Sequence, residues 1–234
     1  MKIVIYTHSE YDWLWKICIG QTQKYFSDWD RVVFVDQDKD NAWSNAGYKV
    51  ITYKNEDNYK TRVISCLERL DPNEVINYFH EDMFMYDKPD YDKLKAFHEL
   101  VLTDKAQVIK FIRSGNFLVK SQLHENLYLN PPNLKYAIQP SFIKVGKLLE
   151  IFRDCQGFHL WSFESTMFNT PHIGPMHTFF IYNGEKKIGT DHYDSNIYPY
   201  VATASVRGHW NMSEYGEKLT QLFQEYSIDP TPHL

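Results

Sequence analysis

The sequence predicts an α/β fold built on a mainly parallel, doubly wound sheet. Short β-branched runs alternate with helical periodicity through the first half, the fourth run is apolar without a break, and polar residues gather where the runs end. Lys2 to Thr7 (KIVIYT) reads as a first strand, Arg31 to Asp36 (RVVFVD) as a second and Tyr48 to Tyr53 (YKVITY) as a third. Asp12 to Phe26 lies between the first two, with Trp13, Trp15, Ile17 and Tyr25 fitting an amphipathic helix loosely. Val63, Cys66, Leu67 and Leu70 recur at helical spacing before Asp71 and Pro72 stop the pattern. The fourth strand, from Val75 to Phe79, ends abruptly in His80, Glu81 and Asp82. In a sheet of this order, ligands are expected at the C-terminal ends of the strands.

The second half is less regular. Asp90 to Leu102 reads as a helix, Val108 to Arg113 as a strand, and Phe142 to Phe152 as an amphipathic helix with Phe142, Val145, Leu148, Leu149 and Phe152 on one side. Trp161 to Met167 reads as a short helix, Thr178 to Tyr182 as a strand, and Asn211 to Tyr226 as a final helix capped by Asn211 or Ser213. Asn130, Pro131 and Pro132 mark a loop rather than a linker, and no repeat appears, so the expectation is one domain over 1–234. A chain of 234 residues can bury a substantial core.

Composition narrows the function. A net charge of -5 argues against a nucleic-acid partner, which usually meets a basic face. Cys18, Cys66 and Cys155 form neither a CxxC pair nor a zinc spacing, which predicts a reducing, cytoplasmic setting. No run of 18 apolar residues occurs, and Met1 leads directly into a strand, so neither a membrane span nor a signal peptide is expected. The first strand is followed by Thr7, His8, Ser9 and Glu10 instead of GxGxxG, and no Walker loop exists. A nucleotide would then be held by side chains and a metal, which disfavours dehydrogenases and P-loop enzymes together.

Three ionisable groups at a strand tip are costly to desolvate unless a cation or hydrogen-bond donors meet them. A divalent ion at His80 and Asp82, its shell completed by substrate phosphates, satisfies that requirement; an ordinary solvated turn before Tyr86, Asp87 and Pro89 is the plain alternative. His192, flanked by Asp191 and Asp194, is a further ligand candidate, and its imidazole favours manganese over magnesium; a structural histidine is the competing account. Arg62, close to Tyr59 and Lys60, could meet a diphosphate or pair with Asp82, and Asp36 could meet a ribose or base. Glu164, set among Trp161, Phe163 and Met167, has the surroundings of a raised-pKa general base, although a buried structural glutamate would look the same.

Three blocks, YKTRVISCLERL leading into VINYFHEDMFMYD, then KYAIQPSFIK, then GTDHYDSNIYPYVATASVRGHWNMSEY, occur in an order that resembles GT-A glycosyltransferases, and more narrowly the small single-domain members of large algal viruses and some bacteria. The resemblance implies a single-domain GT-A fold, with 1–87 as the nucleotide-binding half and 88–234 as the acceptor side. It implies transfer of a sugar from a nucleotide-diphosphate sugar, commonly a uridine diphosphate donor, to a glycan or other hydroxyl acceptor. His80, Glu81 and Asp82 fall on the metal-binding DxD-type motif, with histidine replacing the first carboxylate; His192 matches a late metal-ligating histidine. Thr7, His8 and Asp36 match the nucleoside segment, and Tyr59 and Arg62 the diphosphate segment. Glu164 is the base if transfer inverts configuration, with Asp191 and Asp194 in reserve. A metal-dependent hydrolase and a non-catalytic carbohydrate-binding protein are the competing readings, the latter because aromatic residues reach 16%.

Overall fold

The computed structural model describes residues 1–113, 116–131, 136–155, 157–159, 177–189 and 192–234. One eight-stranded sheet draws on both halves of the chain. Its strands are β1 (Lys2–Tyr6), β2 (Asp30–Val35), β3 (Lys49–Thr52), β4 (Val75–His80), β5 (Val108–Lys110), β6 (Leu127–Leu129), β7 (Ser141–Lys144) and β8 (Thr178–Ile181), in the order β3-β2-β1-β4-β7-β5-β8-β6. Neighbours pair in parallel from β3 to β4 and again between β5 and β8; β7 runs antiparallel to both β4 and β5, and β6 antiparallel to β8. Two short hairpins follow, β9 (Lys187–Ile188) with β10 (His192–Tyr193), and β11 (Ser205–Val206) with β12 (His209–Trp210).

Among the described residues the α-helices are α1 (Asp12–Tyr25), α2 (Ala42–Asn45), α3 (Tyr59–Leu67), α4 (Tyr91–Leu102), α5 (Val145–Asp154) and α6 (Met212–Tyr226). Asn58 caps α3 by accepting the Thr61 N–H at 3.0 Å, and Asp90 caps α4 through the Lys93 N–H at 3.1 Å. All six residues of β4 are buried, because helices cover both faces of the sheet. Alternation along β4 assigns its two faces. Tyr78 and His80 meet Tyr59 of α3, and Tyr78 also meets Phe152 of α5, whereas Asn77 points the other way and donates to the Tyr198 hydroxyl at 2.8 Å.

Three expectations shift. The helix expected over 142–152 begins three residues later, at Val145. Ser141–Lys144 instead forms β7, which fills the slot between β4 and β5. Phe142 sits three residues before Val145 and so extends the helical spacing backwards, but in the molecule it is a fully buried strand residue. The helix before β4 ends at Leu67, not Leu70, and β5 stops at Lys110. The helix expected over 161–167 lies outside the described residues.

Sheet order places β1 beside β4 while β2 and β3 lie on the far side of β1, so the chain reverses direction across the sheet between β1 and β4. Such a reversal opens a crevice outside the carboxyl ends of the strands. Residues 7–11 and 80–82 border it. The later chain folds back over the same end: Val201 N–H donates to Phe84 O at 2.9 Å, and Ala204 N–H to Asp82 O at 2.9 Å.

Candidate active site

Two polar groups meet at this end of the sheet. The first joins the tips of β1, β2 and β3. Asp36 directly follows β2, and both its oxygens are taken by Ser9, one by the backbone N–H at 2.7 Å and one by the hydroxyl at 2.6 Å. Burial raises the Asp36 carboxyl, but the Ser9 bonds and the nearby His8 outweigh it and hold the group below the ordinary range. His8 accepts the Glu10 N–H on Nδ1 at 3.1 Å, and its Nε2 meets Asn55 Oδ1 at 2.7 Å. Arg62 donates from Nε to Asp57 O at 2.7 Å, from Nη2 to Asn55 Oδ1 at 3.1 Å and also to Asn55 O, with its guanidinium 5.2 Å from the Tyr53 ring centre. Thr7 is buried, and its oxygens accept from Trp15 Nε1 at 2.8 Å and from the Tyr53 hydroxyl at 2.7 Å.

The second group lies at the tip of β4. His80 does not face the same surroundings as its two acidic neighbours. It is hydrogen-bonded through Nε2 to the Tyr59 hydroxyl at 2.9 Å and packs 5.1 Å from the Tyr6 ring, and burial lowers its pKa to about 3, so it is a neutral imidazole. Glu81 is buried, and burial together with the adjacent Asp82 charge pushes it well above the ordinary carboxylate range, against hydrogen bonds from its own N–H and the Thr7 hydroxyl. Burial lifts Asp82 to about 7, opposed by its own N–H and that of Ser205. Among the described residues neither Glu81 nor Asp82 makes an ion pair, whereas the other ion pairs of the described residues join ordinary surface groups or the His8–Asp36 cluster. Tyr11 stands at the same mouth, 40% exposed; burial and then the Glu81, Glu10 and Asp82 charges raise its hydroxyl.

The structure therefore gathers Thr7, His8, Asp36, Arg62, Glu81 and Asp82 around one crevice, with Tyr59 and His80 packed together behind it. It does not join the expected metal set. No three His, Cys, Asp or Glu side chains among the described residues converge to hold an ion, so His80, Asp82 and His192 are not one ligand cluster. His192 lies in β10, paired with Ile188 of β9, instead of in an open turn. Asp194 is engaged by Lys218 at 2.9 and 2.8 Å and by the Tyr86 hydroxyl, with the Lys218 ammonium 3.7 Å from the Tyr86 ring centre. An oxygen so occupied is poorly placed to accept a substrate proton, which weighs against its reserve role as base. Glu164 and Asp191 lie outside the described residues.

The donor set at β4 still fits an ion of one kind. Magnesium or manganese can take one or two carboxylates and fill the rest of its shell with phosphate oxygens and water, and Glu81 with Asp82 supplies that minimum; His80 does not add to it. Sequence reasoning missed Ser9, Tyr11, Tyr53 and Asn55. Ser9 and Tyr11 were within reach, since both directly follow the first strand tip; Tyr53 and Asn55 depend on how β3 stacks beside β2 and β1.

No protein-family model matches the chain, and no curated protein sequence matches it. Solved structures do share its architecture. S. aureus TarS aligns with a TM-score of 0.51 at 11% identity over 97% of this chain and 39% of that one, so this chain spans well under half of TarS. The fold is of the GT-A type, a Rossmann-like α/β sheet flanked by helices. CMP:2-keto-3-deoxy-manno-octonic acid synthetase complexed with CTP aligns at TM-score 0.49 and 11% identity, over 80% of this chain and 92% of that one. The 2-C-methyl-D-erythritol 4-phosphate cytidylyltransferase of Francisella tularensis aligns at 0.47 and 17% identity, over 81% and 94%. Among the described residues, no helix is long and apolar enough to cross a membrane.

Proposed function

We propose that this protein is a glycosyltransferase of the hexosyltransferase class. In this reading it moves a sugar from a nucleotide-diphosphate sugar, of uridine type, to a hydroxyl of a glycan or another acceptor. One observation carries the proposal: two adjacent, desolvated carboxyl groups at the β1/β4 crevice lack any cationic partner among the described residues. Such a pair is unfavourable on its own and becomes favourable when a cation joins it. A bound manganese or magnesium ion supplies charge neutralisation for the diphosphate leaving group. Asp82, with Glu81 behind it, would hold that ion. Tyr11 offers an exposed ring at the crevice mouth, and the Arg62–Asn55–His8 network fixes the shape of the nucleoside side. The division into a donor half, 1–87, and an acceptor half, 88–234, belongs to the same reading, as does the resemblance to small single-domain GT-A proteins.

During transfer the acceptor oxygen bonds to the anomeric carbon as the bond from that carbon to the diphosphate breaks. If configuration inverts, a carboxylate takes the acceptor proton, and Glu164 or Asp191 is assigned that task; retention needs no such base. Thermal unfolding with uridine diphosphate, with and without manganese, tests the reading. We expect stabilisation by nucleotide that needs the metal and disappears in Asp82→Asn. Equal stabilisation in that variant, or none in the native chain, would refute it.

A further inference from the structure

A groove of about 630 Å³, whose lining includes no β4 residue, runs along the outer side of α1. Its volume is within the range of ligand sites. One wall is a single helical stripe, Asp12, Lys16, Ile19 and Gln23, at spacings of four, three and four, which runs ~16 Å at the helical rise. The facing wall is the segment from Lys39 to Ala42. Two bonds pin the walls together near the ends of the stripe: Lys39 Nζ to Asp12 at 2.6 Å, and Gln23 Nε2 to Ala46 O at 3.2 Å.

Aromatic rings border the space and are fixed before any ligand arrives. Trp13 stacks on His233 at 4.0 Å and meets Trp210 edge-on at 4.6 Å. Tyr226 lies against α1 because Gly20 has no side chain: a Cβ there would fall 2.2 Å from the ring. Gln21 Nε2 donates to the Tyr226 hydroxyl at 3.2 Å and holds the ring in place. Asp40 and Asn41, on the facing wall, both adopt left-handed backbone, with φ of 53° and 52°. Two successive residues of that kind are an uncommon expense for a plain connection and recur where a segment shapes a site.

The charges decide what such a groove takes. Asp12 and Asp40 balance Lys16 and Lys39, so neither a phosphate-bearing ligand nor a cation gains from the field. Lys16 and the Asp40 carboxylate make no ion pair among the described residues, so both an ammonium and a carboxylate remain for hydroxyl groups. A docked helix would need a row of apolar anchor recesses, and here charged residues interrupt the stripe at Asp12 and Lys16. Pre-set aromatic rings beside balanced donors and acceptors match a ligand with apolar C–H faces and a hydroxyl rim. We propose that this groove binds a neutral oligosaccharide, at a site separate from the β4 crevice. Its length favours a chain of several rings over a single sugar.

Titration of the intact protein with neutral gluco-, manno-, galacto- and N-acetylglucosamine tetrasaccharides, followed by tryptophan fluorescence and by saturation-transfer NMR, tests the proposal without any donor present. At least one neutral tetrasaccharide should bind. The surface variants Lys16→Ala and Asp40→Ala should each weaken that binding about three- to tenfold, the loss of one polar contact. Asp82→Asn should leave it unchanged, which keeps this result distinct from the fate of the transferase reading. Binding of none of the neutral probes, preference for a sulfated tetrasaccharide or an amphipathic helical peptide, or neutral binding unaltered in both surface variants would each overturn it.

Discussion

Two polar clusters share one end of the sheet and have opposite balance. Around Asp36, donors and acceptors meet: Ser9 covers both carboxylate oxygens, Glu10 and Asn55 engage the His8 ring, and Arg62 bonds to Asn55 and Asp57. At Glu81 and Asp82 two acids stand together without a counter-charge among the described residues. The first cluster fixes the loop after β1; in the proposed reading the second is the place a ligand's cation joins. Charged groups that the protein partners itself contribute to stability, while buried acids left without a counter-charge cost stability until a cation binds.

The sharpest way to break this contrast is Asp82→Asn. We expect sugar transfer to fall by about a hundredfold or more, as when one group that stabilises developing charge is removed. A transfer assay with a uridine diphosphate sugar and manganese checks it. The pH dependence of folding probes the same pair more gently. Asp82 has a folded pKa raised to about 7, so its contribution to stability is full below the ordinary carboxylate pKa of about 4 and is lost as pH rises through about 7. His80 acts in the opposite direction. Its folded pKa of about 3 makes its contribution full above the ordinary histidine value of about 6.5 and lost as pH falls toward about 3. Urea midpoints across this range should drop on the alkaline side in the native chain, drop less in Asp82→Asn, and recover when manganese is added.

The satisfied cluster should answer in stability instead. Asp36→Ala leaves the Ser9 N–H and hydroxyl without their acceptor and should cost about 2 kcal/mol in urea unfolding. Arg62→Lys removes the planar fork that reaches both Asn55 and Asp57, and about 1 kcal/mol is expected by the same measurement. If Asp36→Ala instead left stability intact and abolished nucleotide binding, the two clusters would have to exchange roles.

Much of the frame was legible because its signals are local. The four strands β1 to β4, the helices at 12–25 and 91–102, and the acidic tip after Phe79 all lie within a residue or two of where alternation and capping put them. The sequence placed a site at the carboxyl ends of the strands, and the sheet order, with β1 beside β4, gathers Thr7, His8, Asp36, Glu81 and Asp82 there. His80 illustrates the opposite case. In the sequence it is one of three consecutive polar residues, but alternation on β4 turns it toward Tyr59, and the aromatic packing there makes it neutral. Asp194 reads as an acid beside a histidine, and its occupation by Lys218, 24 residues away, leaves no trace in the local pattern. Phe142 likewise obeys helical spacing while serving a strand.

The sequence alone determined the alternation of strands and helices, the absence of a glycine phosphate cradle and the position of the carboxyl pair, since each depends on neighbours a few residues apart. Only the tertiary structure decided which polar side chains are already partnered, where β7 inserts, and that a balanced aromatic groove runs along α1. Those outcomes depend on contacts between residues far apart in the chain, and burial and charge act through distance in space, which sequence spacing does not encode.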